Sequence, residues 1–159
     1  MKSLKASVLS LLLFGALSVN AYADMNPDKL LKSIENYGES VESEGNLISF
    51  MYKGVNLYCV FDKNADRMRL VSPIVEVKNV PPEALIIALQ ANYHTVLDAR
   101  YAIGDGIVYS AFIHPLSPLT EKELQSAIRQ VSTAAHTFGD QYTSGELSFP
   151  GASQNQQTE

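Results

Sequence analysis

The sequence predicts an α+β domain in which helices pack on an antiparallel sheet, with elements in the order α-β-β-β-α-β-β-α. Three observations carry this expectation. Between Ile48 and Val77, apolar and polar residues alternate in three runs separated by turn residues, and turns that short join only antiparallel neighbours. Gly104-Asp105-Gly106 divides two further alternating runs in the manner of a hairpin turn. Segments of helical spacing stand before, between and after these runs.

The first helix is signalled by Asn26 as cap and Pro27 at the first helical position. Leu30, Leu31, Ile34 and Tyr37 recur at helical spacing, and Gly38 suits the stop. The polar stretch from Glu39 to Gly45 is expected to be a loop. Ile48, Phe50 and Tyr52 then alternate against Ser49, Met51 and Lys53 as a first strand, closed by Gly54. Val55 to Phe61 forms the second strand, Asp62-Lys63-Asn64-Ala65-Asp66 a turn, and Met68 to Val77 the third strand. Pro81 and Pro82 open a second helix running to about Tyr93, and strands follow near Arg100 to Ile103 and Ile107 to Ile113. The last helix has the clearest start. Thr120 and Glu123 make a T-x-x-E capping box, with Leu119 and Leu124 placed as a hydrophobic staple. Leu124, Ile128, Val131, Ala135 and Phe138 share one face, and Gly139 follows as the stop.

The chain begins with three consecutive zones. Lys2 and Lys5 give a positive start, Val8 to Leu17 is apolar apart from Ser10 and Gly15, and Ala21-Tyr22-Ala23 supplies a small-x-small site before Asp24. The expected organisation is a signal peptide over residues 1–23, one domain over 24–142 and a disordered tail over 143–159, where the composition turns to Ser, Gly and Gln. The apolar run is too short to span a bilayer of roughly 30 Å as a helix. No cysteine near the cleavage site offers a lipid anchor. A periplasmic or secreted protein without stable membrane insertion is therefore expected.

The full chain carries a formal charge of −5, and loss of the leader with its two lysines makes the remainder more acidic. Nucleic acid and anionic lipid demand clustered Lys and Arg, so nucleic-acid binding is excluded. Cys59 is the sole cysteine, which rules out an internal disulfide. Alternation places it on the face of Leu57 and Phe61, as a buried, inert thiol.

No constellation for catalysis, a cofactor or a metal emerges. Asp62-x-Asn64-x-Asp66 resembles the start of a calcium loop, but Arg67 and Pro73 stand where that loop needs its glycine and its bidentate glutamate. His94, His114 and His136 lie at least twenty residues apart without neighbouring ligand pairs. No G-x-S-x-G elbow occurs, and Gly104-Asp105-Gly106 lacks the features of a phosphate loop.

The second helix is unusual. Ala84-Leu85-Ile86-Ile87-Ala88-Leu89 is apolar at six consecutive positions, which wraps nearly the whole circumference. Either the helix is central, or one face meets the sheet and the other a second copy. A domain this small has little material to cover both faces, which favours a two-fold dimer through Leu85, Ile86, Ile87 and Leu89.

Leu89-Gln90-Ala91-Asn92, Ala99-Arg100-Tyr101-Ala102-Ile103, Gly104-Asp105-Gly106-Ile107-Val108, and Pro115-Leu116 before the last helix resemble YbjN-like proteins, which are related to the class I chaperones of type III secretion. The likeness spans about Pro27 to Phe138. It implies the α-β-β-β-α-β-β-α domain, frequent pairing through the second helix, no catalytic residues, and a chaperone-like hold on an extended polypeptide. The leader peptide departs from the secretion chaperones, which act in the cytoplasm. The function expected is thus a non-enzymatic exported protein-binding module. Its candidate partner contacts are Leu30, Ile34, Tyr37, Phe50 and Tyr52, residues equally suited to the core. The alternative is a carrier of a small apolar ligand held between sheet and helix.

Overall fold

The computed structural model describes residues 24–145. Residues 1–23, which include Ala21 and Ala23 of the expected cleavage site, and residues 146–159 of the expected tail lie outside the described residues.

Helix α1, Pro27–Glu35, starts where the Asn26 side chain accepts the Lys29 N–H and Pro27 fills the first position. The helix stops at Glu35, two residues before Tyr37. Gly38 is required by contact, since a Cβ there would lie 2.7 Å from the Phe50 ring. Four strands follow without interruption: β1 Glu39–Glu44, β2 Leu47–Tyr52, β3 Val55–Asp62 and β4 Arg67–Glu76. The expected loop over Glu39 to Gly45 is thus an edge strand, and the order becomes α-β-β-β-β-α-β-β-α. Its side chains are almost all exposed, so no apolar alternation betrays it. Backbone pairing to β2 makes it a strand, and its glutamates blunt the free edge. Lys53 and Gly54 between β2 and β3 both have positive φ, the geometry of a tight hairpin whose twist matches its strands.

A single 3-10 turn, Val77–Asn79, leads to α2, Pro82–His94. The helix carries the chain to the far edge of the sheet, where β5, Arg100–Gly104, turns through Asp105-Gly106 into β6, Ile107–Pro115. Helix α3, Glu121–Thr137, closes the domain. Among the described residues, six strands lie in the order β1-β2-β3-β4-β6-β5, antiparallel throughout.

One sheet face holds the core. Ile48, Phe50, Leu57, Cys59, Met68, Leu70 and Phe112 lie on it, with Leu30 and Ile34 of α1 and Leu124, Ile128 and Val131 of α3. The capping box at Thr120 and Glu123 forms in both directions, and both staple residues, Leu119 and Leu124, are fully buried. Thr143 and Ser144, expected in a disordered tail, are held instead. The Thr143 hydroxyl donates to the Thr95 carbonyl, and the Ser144 hydroxyl accepts the Leu97 N–H at 3.1 Å while Ser144 is fully buried. The ordered domain therefore extends past Tyr142. Among the described residues, no helix is long and apolar enough to cross a membrane.

Candidate interaction surfaces

Helix α2 presents an inverted arrangement. Its two buried residues are the alanines Ala88 and Ala91. Its large side chains point outward, with Ile86 58%, Ile87 46%, Leu89 70% and Tyr93 77% exposed, and Leu85 half-buried. Small inward residues let the helix backbone approach β5 closely, and this brings Asn92 onto the strand's open edge. The Asn92 amide donates to the Tyr101 carbonyl at 3.1 Å and accepts the Tyr101 N–H at 2.7 Å. One side chain thus satisfies the two backbone groups that a seventh strand would otherwise pair.

Polar bonds secure the segment after α2. The fully buried Gln130 of α3 accepts the N–H groups of Asp98 and Ala99, and the Tyr101 hydroxyl donates to the Ala134 carbonyl at 2.8 Å. Burial pushes the Tyr101 hydroxyl up to about 12, so it stays a proton donor at any ordinary pH.

Between α2 and β5 runs an open groove of about 340 Å³, lined by Leu85, Ile86, Ala88, Leu89, Tyr101 and Ile103 among others. Ile103 is itself 58% exposed. Three of the four dimer candidates, Leu85, Ile86 and Leu89, are thus brought together with β5 in one apolar surface, and Ile87 is exposed outside the lining of that groove. Sequence spacing finds the helix residues but misses Ile103, which joins the groove through the fold.

The expected partner contacts fare differently. Leu30, Ile34 and Phe50 are buried in the core and present no surface to a partner. Their helical and alternating periodicity marks burial, which a core and a binding face share. Tyr37 and Tyr52 pack against the core half-buried, and the Tyr37 hydroxyl reaches Glu121 at 3.3 Å.

The turn acids and Cys59 have partners or cover within the fold. The Asp62 carboxylate accepts the Asn64 and Ala65 N–H groups, and that of Asp66 accepts the Ser117 N–H and hydroxyl. These bonds from Ser117 hold the Asp66 carboxyl below its usual range. Both ends of the calcium-like pattern are therefore engaged within the chain, and no group of three metal-ligating side chains occurs among the described residues. Cys59 is fully buried, and burial pushes its thiol up to about 12, which keeps it protonated and unreactive.

The fold is the α+β fold of type III secretion chaperone-like structures, with a six-stranded antiparallel sheet. A chain of the HopA1–SchA chaperone–effector complex aligns with a TM-score of 0.52 and 12% identity, over 74% of this chain and 89% of that one. A chain of the ExsC–ExsE complex aligns with a TM-score of 0.47 and 16% identity, over 60% and 74% respectively. No family model matches the sequence, and no curated protein is similar to it.

Proposed function

We propose that this chain is a non-enzymatic, chaperone-like module that holds an extended polypeptide, and that it works as a homodimer joined through α2 and β5. The observation that carries the reading is the inverted helix. A monomer gains nothing by exposing Ile86 and Leu89 beside Ile103, with Ile87 and Tyr93 exposed on the same helix. In a two-fold pair, the protruding Leu89 of each copy has the apolar α2–β5 groove of the other to fill. The shared fold with a chain from a chaperone–effector complex supports polypeptide binding, and the soft motifs shared with YbjN-like proteins point the same way. The three-zone start of the sequence supports action in the periplasm or outside the cell after removal of residues 1–23.

A second reading, a carrier of a small apolar molecule, is favoured by the same groove, whose volume lies at the low end of the usual range for ligand sites. One experiment separates the readings. Tagged mature protein (24–159) is recovered under native conditions from its own compartment, weighed by light scattering and analysed by mass spectrometry. A dimer carrying a near-stoichiometric polypeptide is expected, and Leu89→Glu should give a folded monomer whose melting temperature equals that of the wild type diluted until it too is monomeric. A monomeric wild type would overturn the pairing. Recovery with a lipid-like molecule and no polypeptide would select the carrier.

A further inference from the structure

Among the described residues, the three helices cover only one face of the sheet. On the opposite face, the register sets Leu47, Val60, Arg69 and Ile113 side by side across β2, β3, β4 and β6. Leu47 is 36%, Val60 39% and Ile113 59% exposed. The row spans about 14 Å at the usual strand spacing. It borders a depression of about 580 Å³ that Asn46, Asp62 and Arg67 also line. An aligned row of aliphatic side chains on an open sheet differs from the scattered apolar residues of any surface.

Arg69 interrupts this row, exposed and without an ion pair or hydrogen bond among the described residues. Arg67 stands two residues away on the same face, its guanidinium bonded to the neighbouring Asp66 carbonyl. Asp62, paired with Arg67 in register, has Oδ1 engaged by two turn N–H groups. Glu44 is three strands away, at the β1 end of the row. Arg100, in the next row, folds onto the carbonyls of Leu97 and Ala99. In a chain of net negative charge, the centre of this face is therefore locally positive and apolar together.

We infer that this open sheet face docks an extended polypeptide segment in which a carboxylate side chain stands beside apolar ones. Arg69 takes the carboxylate, in a planar two-point contact suited to its guanidinium. Leu47, Val60 and Ile113 take the flanking apolar side chains, and four or five extended residues cross the row. A segment fits better than a second copy of the domain. The exposed row is too narrow for the ~800 Å² per partner of a standard interface, and a sheet twisting by roughly 20–25° per strand matches a single strand more readily than another rigid sheet. The inference rests on the polypeptide-binding reading above and names the partner's chemistry.

The test uses ¹⁵N-labelled mature protein and two blocked octapeptides, one alternating leucine with glutamate, the other leucine with lysine. The acidic peptide should shift the amides of Val60, Arg69 and Ile113 and bind about fivefold more tightly than the basic one, the scale of one exposed ion pair. Arg69→Glu should reverse that order, and Arg69→Lys should restore it in part. Both variants lie on an exposed position and should keep the wild-type melting temperature. Equal binding of the two peptides, shifts confined to α2 and β5, or an order unchanged in Arg69→Glu would overturn the site. Capture of the native client separates this failure from that of the broader reading. A client retained equally by wild type and Arg69→Glu removes this site alone, whereas a wild type that retains no polypeptide removes both.

Discussion

Helix α3 turns Leu124, Ile128 and Val131 toward the sheet and buries each of them, whereas α2 turns two alanines inward and leaves Leu89 mostly exposed. Both helices are apolar enough to bury, yet they are held by different forces. Helix α3 is held by apolar area, in an amphipathic stripe with the capping box fixing its start. Helix α2 has little apolar area on its inner side. It is held at its C-terminal end by directional bonds, from Asn92 to β5, from Thr95 to the returning chain near Tyr142, and through Gln130 to the loop that follows. This teaches that Ile86, Ile87 and Leu89 are surplus to the stability of the isolated domain, whereas Ala88 belongs to its core. Those large side chains are free for another surface.

The comparison can be broken at three points. The largest effect is expected in α3, where Ile128→Ala should destabilise the domain by about 2–5 kcal/mol, through lost burial and the cavity left behind. Denaturant unfolding would measure it, and a loss below about 1 kcal/mol would show that α3 is not the anchor described. An intermediate effect is expected on the inner side of α2. Ala91→Leu should cost about 1–3 kcal/mol by forcing the helix away from the domain and loosening the Asn92 bonds to Tyr101. Amide exchange at Tyr101 should rise with it, and unchanged protection there would mean the close approach is not needed. The smallest effect belongs to the outer side, where Leu89→Ala should change stability by no more than about 0.5 kcal/mol. The measurement is made at a protein concentration low enough for the chain to be monomeric. A larger loss would place Leu89 in the core after all.

Much of the fold is legible in the sequence because the signals are local. Alternation marks β2 to β4, Asp105-Gly106 marks the last hairpin, and Thr120 with Glu123 marks the start of α3. Strand β1 escapes because its pairing is a matter of backbone bonds, and Glu39–Glu44 shows no apolar face to report it. The surfaces are legible only in part. Leu85, Ile86, Ile87 and Leu89 stand out because a helix apolar all round is unusual. Leu30, Ile34 and Phe50 mislead, since an apolar period states that a face is covered without stating by what.

What the sequence determines by itself is therefore the set of elements whose periodicity or turn chemistry is contained within a few residues, the absence of a disulfide, and the acidic charge. The tertiary structure alone decides which side of α2 is inward, that Asn92 closes the β5 edge, that Thr143 and Ser144 belong to the domain, and that Leu47, Val60, Arg69 and Ile113 meet in one row. Each of these depends on contacts between residues distant in the chain. Strand register and helix rotation set such contacts; turn chemistry fixes register only within a hairpin, and a helix apolar all round carries no stripe to state its rotation.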